Sequence, residues 1–162
     1  MAKKGIIDPS DYPLDQVFMG PDEFGKYNPQ RHEFLQLTNV LHYDPDNNLL
    51  VAHRKVEAEE WWCRGHIPGR PLLPGALMVE MLAQAGSLHS HLLFKFSKGS
   101  FIGFAGLDSV RFRGSTGPGV DLMIAGRITG GSGGRKAFRW GGQVMRMDGS
   151  ILCEGEVFGI SV

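Results

Sequence analysis

One stretch of this chain, residues 74–96, carries a strong pattern for a long α-helix, and it constrains the fold more than any other feature. It opens with Pro74-Gly75, a typical helix start, and its apolar residues fall on nearly every side of the predicted helix. Such a helix must be surrounded by other elements. The remaining runs are typical of strands, so a curved sheet is the cover that the sequence offers.

Strand-like runs lie on both sides of the predicted helix. They span residues 34–43 and 49–57 before it, and 101–113, 120–129, 136–147 and 151–160 after it. A turn at 44–48 joins the first two into a hairpin, and glycine-rich turns separate the others. This order predicts an α+β fold in which an antiparallel sheet wraps around one central helix. Residues 1–30, rich in proline, are expected to form an arm with helix only in short pieces, ahead of one domain at 31–162.

Composition and charge exclude several classes of protein. With 162 residues the chain has room for one domain. Lys and Arg together number 17, as do Asp and Glu, so no net charge attracts nucleic acid or anionic lipid. Two cysteines make no disulfide framework, and the six histidines lie at no spacing typical of a metal site.

The amino terminus and the longest apolar stretch bear on where in the cell the protein is expected. The amino terminus carries Lys3 and Lys4 without an apolar run, which predicts a cytoplasmic protein. Glu80, Gln84 and His89 interrupt the apolar stretch at 75–93, which predicts that it does not span a membrane.

Polar residues within the predicted helix form one narrow stripe. Glu80, Gln84, Ser87 and His91 lie at i, i+4, i+7 and i+11, on one side of an otherwise apolar helix. A buried carboxylate needs a partner or a proton, and Gln84 is one turn away to orient Glu80. The stripe favours a functional site, while a structural polar network or a subunit seam remains the alternative.

The loop before the helix contains a candidate base. Residues 64–75 hold three prolines and three glycines around His66, which predicts a stiff backbone. An imidazole exchanges protons near neutral pH, and the free N–H groups of Gly75 and Ala76 at the helix start could receive an oxygen that gains negative charge. The alternative is a histidine that is only solvated.

Residues 65–85, with the sequence GHIPGRPLLPGALMVEMLAQA, resemble the signature of the 3-hydroxyacyl-acyl-carrier-protein dehydratases of type II fatty acid synthesis. The resemblance extends over about 31–157 and includes AGLDSVRFR at 105–113 and Pro118-Gly119. It implies the hotdog fold, a homodimer or dimers assembled further, such as a trimer of dimers, and an active site at the dimer interface.

The resemblance also implies a mechanism and roles for residues. His66 of one subunit would remove the C2 proton of a 3-hydroxyacyl thioester, while Glu80 of the other subunit protonates the departing C3 hydroxyl. Gly75 N–H would polarise the thioester carbonyl and Gln84 would orient Glu80. No metal or redox cofactor is required. Glu80 stands where relatives that also isomerise the product usually carry Asp, which favours dehydration alone.

Further residues are candidates for binding the substrate and its carrier. Leu77, Met81 and Phe104 are expected to line an acyl tunnel, with plain core packing as the alternative. The cations that could meet an acidic acyl carrier protein are Lys95, Lys98, Arg111 and Arg113. The departures from the family pattern, which include Ile67, Arg70 and Gly114-Ser115, leave every catalytic group in place.

Three other readings stay open. A thioesterase of the same fold could use Glu80 and a water, and it would release thiol without forming an enoyl product. A sensor or scaffold that binds acyl thioesters would not need His66 and Glu80 together. Cys63, three residues before His66, is a weaker candidate for a nucleophile, and Trp61 and Trp62 are expected to be apolar anchors.

Overall fold

The computed structural model describes residues 3–97, 99–132, 134 and 136–162. Its sheet is antiparallel and has six strands in the order β1-β2-β4-β5-β6-β3. The strands are β1 (Asn39–Asp44), β2 (Leu49–Val56), β3 (Ile102–Phe112), β4 (Val120–Ser132), β5 (Ala137–Arg146) and β6 (Ile151–Ser161). Two α-helices accompany them, the short α1 (Pro21–Phe24) and the long α2 (Gly75–Phe94). The predicted α+β hotdog fold, a curved sheet around one long helix, is confirmed.

The first strand begins later than predicted. Residues 34–38 were expected to be strand, but β1 starts at Asn39 and a 3-10 turn occupies His32–Phe34. The prediction is wrong here because the backbone of this segment binds a side chain of the helix. The carbonyl oxygen of Phe34 accepts from the Gln84 side chain, and the N–H of Gln36 donates to the same side chain. These two backbone groups are therefore not available to a neighbouring strand.

Trp140 of strand β5 packs against helix α2 at Gly86 and His89. It is fully buried, and its indole N–H donates to Nδ1 of His89 at 3.0 Å. A Cβ on Gly86 would lie 3.1 Å from the Trp140 side chain, so the absence of a side chain there lets the helix approach. Burial lowers the pKa of His89 to about 4, which keeps the ring neutral and able to accept this bond.

The opposite face of the sheet is also covered. A second apolar cluster lies there, formed by Leu41, Leu49, Val51, Met123, Ala125 and Met145. Arm residues Ile6, Ile7, Tyr12 and Leu14 pack against it. The arm is fixed by the Lys3–Glu154 ion pair at 2.7 Å and by Ile6 N, which donates to Gln143 at 2.7 Å.

The two edges of the sheet differ. The arm covers β1, where Met19 and Val40 exchange backbone hydrogen bonds of 3.1 and 2.9 Å. Strand β3 lies at the other edge, pairs with β6 alone in the described part of the chain, and exposes large apolar side chains. These are Phe104 (54% exposed), Leu107 (41%) and Phe112 (56%). An exposed apolar edge of this kind is suited to a protein contact.

Candidate active site

His66 is held by its own loop. Its backbone N–H donates to Trp62 O at 2.9 Å, and Trp62 is buried, which anchors the loop to the core. The exposed imidazole lies with Nδ1 3.0 Å from the carbonyl oxygen of Leu72. Because a carbonyl only accepts, Nδ1 carries the hydrogen and Nε2 keeps its lone pair. The loop therefore presents Nε2 as a base.

The start of helix α2 offers two free donors. Pro74 caps the helix, and its carbonyl accepts from Leu77 N at 3.0 Å and from Met78 N at 3.4 Å. The N–H groups of Gly75 and Ala76 donate to no other described residue. They lie at the positive end of a 20-residue helix, so they can stabilise an oxyanion.

Glu80 and Gln84 form a partly buried pair one helical turn apart. Gln84 is 1% exposed, and its Nε2 donates to Oε1 of Glu80 at 2.8 Å. Burial raises the pKa of Glu80, and the hydrogen bond from Gln84 offsets part of that rise. A carboxyl with a raised pKa keeps its proton to higher pH, as a general acid requires.

The arm, rather than the sheet, covers the polar stripe of the helix. This corrects the expectation that the sheet alone surrounds the helix. Ser87 donates to Asn28 at 3.1 Å, and the His91 ring lies 5.8 Å from the ring of Tyr27. Burial lowers the pKa of His91, which packs among aromatic rings away from Glu80. No pattern in the sequence marks Asn28 as a residue that would contact the helix.

Within one chain the two predicted catalytic groups are held by different elements, the loop before helix α2 and the helix itself. Gly75, Glu80 and Gln84 share helix α2, whereas no hydrogen bond joins His66 to any of them in the described residues. The ring of Phe112 packs on the start of helix α2, 2.9 Å from where a Cβ at Gly75 would lie, so position 75 has no room for a side chain unless Phe112 moves.

The predicted tunnel residues lie in different environments. Leu77 and Met81 belong to the main hydrophobic core, at 9% and 0% exposure, whereas Phe104 is exposed on β3. Cys63 is half-buried, and its Sγ accepts a bond of 3.4 Å from the N–H of Glu60. Trp61 is exposed while Trp62 is buried.

The predicted carrier-binding cations are not equivalent. Arg113 pairs with Glu154 at 2.5 Å, whereas Arg111 forms no ion pair with a described residue. Lys95 ends helix α2 in a left-handed conformation. Lys98 lies outside the described residues.

Two further features concern metals and membranes. In the part of the chain that the structure describes, no group of three or more His, Cys, Asp or Glu side chains is placed to hold a metal ion. Neither of the helices formed by the described residues is long and apolar enough to cross a membrane.

Replacing Glu80 is expected to stabilise the protein at alkaline pH. Its raised pKa means that the folded state binds this proton more tightly than the unfolded state. The stability that results is present below the ordinary value of 4.5 and is lost as pH rises through the raised pKa. Glu80→Gln removes this loss, so its melting temperature should exceed that of the wild type at about pH 8, with the difference shrinking towards about pH 4.

Thermal melts of both proteins at the two pH values measure this. Glu59→Gln, at an exposed glutamate, is the matched control and should follow the wild type at both. If the difference in melting temperature between Glu80→Gln and the wild type did not change with pH, burial of an ionised carboxylate could not be the cause of that difference.

Comparisons with known proteins identify the family of this chain. A family model described as a FabA-like domain matches residues 28–157. Two relatives named 3-hydroxyacyl-[acyl-carrier-protein] dehydratase FabZ, from Roseiflexus castenholzii and Roseiflexus sp. RS-1, are each 35% identical over 80% of this chain and 87% of the relative.

Solved structures share the fold. The dehydratase heterocomplex ApeI:P from Xenorhabdus doucetiae superposes with a TM-score of 0.70 at 19% identity, over 86% of this chain and 90% of that chain. A mutant thioesterase from Pseudomonas aeruginosa superposes with a TM-score of 0.59 at 18% identity, over 76% and 80%. At these identities the likeness shows the fold alone.

Proposed function

Because this chain belongs to the FabA-like family and is a 3-hydroxyacyl-acyl-carrier-protein dehydratase of the FabZ type, we propose that His66 and Glu80 are its catalytic base and acid. The reaction converts a (3R)-3-hydroxyacyl thioester into a trans-2-enoyl thioester and water. The observation that carries the assignment is that one of the two groups is suited to accept a proton and the other to donate one. His66 keeps a free lone pair on Nε2, and burial favours a proton on Glu80.

The proposed steps balance without a cofactor. Nε2 of His66 takes the C2 proton, and the C–H electron pair forms the C2–C3 double bond. The C3–O bond breaks as Glu80 gives its proton to the leaving hydroxyl, which departs as water. Imidazolium and carboxylate remain and exchange their proton through solvent. Gly75 N–H, with Ala76 N–H beside it, would stabilise the thioester oxygen as C2 loses its proton.

We place the site between two copies of the chain. His66 would come from one subunit and Glu80 from its partner, and within one chain no hydrogen bond joins them in the described residues. The exposed apolar edge at β3 is a surface that a second copy could cover. Phe104 lies on that edge, so we infer that the acyl tunnel with Leu77 and Met81 is complete only in the dimer. A cytoplasmic location stays a prediction from the sequence.

Product analysis tests the reaction. The assay follows the reverse reaction, hydration of a trans-2-enoyl thioester carried on acyl carrier protein. We expect the absorbance of the conjugated thioester to fall to an equilibrium value as the (3R)-3-hydroxyacyl product forms. Formation of a cis-3-enoyl product would contradict dehydration without isomerisation. Release of free thiol instead would identify a thioesterase, and no turnover with any chain length would favour the sensor or scaffold.

Carrier recognition has its own prediction. We infer that Arg111 and Arg113 contact the acidic surface of acyl carrier protein. Arg111 would contribute more, because Arg113 is held in an ion pair with Glu154 while Arg111 forms none with a described residue. Reversing both charges to Glu is expected to raise KM for the carrier-bound substrate about tenfold, with little change for the same acyl chain on pantetheine.

Steady-state kinetics on the two substrates measure this effect, and Arg111→Glu alone keeps the Arg113–Glu154 pair intact. Lys26→Glu, at an exposed lysine of the arm, is the matched charge reversal and should leave both KM values unchanged. An equal rise in KM for both substrates would contradict docking of the carrier at these arginines.

A further inference from the structure

In the structure the arm predicted at residues 1–30 continues to residue 36, before the first strand begins at Asn39. Its segment at residues 28–36 reaches the proposed catalytic acid through one intermediary, Gln84. Three hydrogen bonds fix the Gln84 amide: Oε1 accepts from Gln36 N at 2.9 Å, and Nε2 donates to Phe34 O at 2.7 Å and to Glu80 at 2.8 Å. A flipped amide would place its oxygen against two acceptors and its NH₂ group against an N–H. The arm backbone therefore dictates that Gln84 donates to Glu80.

This arrangement distinguishes the two oxygens of Glu80. Oε1 is occupied as an acceptor, whereas Oε2 receives no hydrogen bond from a described residue. In a neutral carboxyl group the oxygen that accepts acts as the carbonyl, so the proton resides on the other one. The transferable proton of Glu80 is thus directed to Oε2.

Asn28 attaches the arm to helix α2 at Gln84, the residue that binds Glu80. It is 1% exposed, and its Nδ2 donates to the carbonyl oxygen of Gln84 at 2.9 Å while its Oδ1 accepts from Ser87. Its own carbonyl accepts from Arg31 at 2.7 Å, and Arg31 also binds Gly25 O. A buried asparagine with both ends of its amide bonded to one helix fixes that helix against the arm.

We propose that Asn28 is a positioning residue for the catalytic acid: it holds segment 28–36 on helix α2, so that Gln84 donates to Oε1 of Glu80 and Oε2 keeps the proton. The inference rests on the proposed role of Glu80 and gives the arm a part in catalysis. The Asn28 side chain binds Gln84 O and Ser87 rather than Glu80 itself, so its effect on the acid would be indirect.

The test compares Asn28→Ala with Asn48→Ala. Asn48 is the matched control because it also bridges with both amide ends, to Ile128 N and Ile128 O, but joins the hairpin to β4. Both variants lose two hydrogen bonds, so both should lose stability. Two quantities are followed, kcat for enoyl hydration and the titration of Glu80 by 13C NMR, with Glu80→Gln used to assign the signal.

We expect Asn28→Ala to lower kcat about tenfold with KM within about twofold, because the acid is misplaced while the binding surface remains. The titration midpoint of Glu80 should rise, since the Gln84 bond lowers its pKa and would be weakened. Asn48→Ala should change neither quantity. Ser87→Ala removes only the bond to Oδ1 and should shift both in the same direction by less.

The outcomes separate the possibilities. A loss of kcat in Asn28→Ala with an unchanged Glu80 midpoint, or equal losses in Asn28→Ala and Asn48→Ala, would reduce Asn28 to a structural role and overturn the proposal. Should Asn28→Ala fail to fold, Ser87→Ala decides by the same two readouts. If the wild type itself shows no turnover, the proposed function fails, while the NMR midpoints still test the link from Asn28 to Glu80.

Discussion

Glu80→Gln and His66→Ala are each expected to lower kcat/KM for enoyl thioester hydration by about a thousandfold. Gln keeps the size of Glu80 and a hydrogen bond with Gln84, but it has no acidic proton to give. Ala at position 66 removes the imidazole and with it the lone pair on Nε2 that would take the C2 proton. Each change should act on kcat rather than on KM, because the groups act in the transition state.

Matched controls separate this effect from misfolding. Glu59→Gln changes an exposed glutamate, and His42→Ala changes a half-buried histidine of β1 whose ring lies 5.4 Å from the ring of Tyr12. Both variants should retain wild-type rates. Circular dichroism and thermal melts establish that all four variants are folded. Wild-type turnover by a folded Glu80→Gln protein would show that another group supplies the proton, and the same result for His66→Ala would remove His66 as the base.

The sequence predicts the fold well where patterns are local. Strands β3 to β6 lie where strand-like runs separated by glycine-rich turns predict them, and α2 begins at Gly75 as Pro74-Gly75 indicates. The Glu80 and Gln84 spacing places both on one side of the helix, and the structure joins them by a hydrogen bond. These features depend only on the period of an element and on its first residues.

The arm's contribution could not be predicted in the same way. Phe34 and Gln36 act through backbone groups, which carry no sequence signal, and Asn28 binds a helix 56 residues later in the chain. One signal was available for the outer sheet face. Residues 49–52, Leu-Leu-Val-Ala, are apolar without alternation, and such a run indicates a strand buried on both faces. The arm residues Ile6 and Ile7 supply that second cover.

Mixing two inactive variants is expected to restore activity. Each site is proposed to take His66 from one subunit and Glu80 from its partner. A dimer of one His66→Ala chain and one Glu80→Gln chain then has one site with both groups and one site with neither. Random pairing of equal amounts makes half of the dimers mixed, so about a quarter of the wild-type sites return. Against a thousandfold loss in each variant alone, this is a gain of about 250-fold.

The experiment is done by refolding the two variants together, or by co-expression with different tags, and by assaying the mixture. A mixture of His66→Ala with the double variant His66→Ala/Glu80→Gln is the control, because no pairing of these chains contains a His66. If both groups acted within one chain, every mixture would stay at the level of the single variants. Recovery would therefore place the acid and the base on different subunits. It would also explain why no hydrogen bond joins the two groups among the described residues of one chain and why the apolar edge at β3 is exposed there.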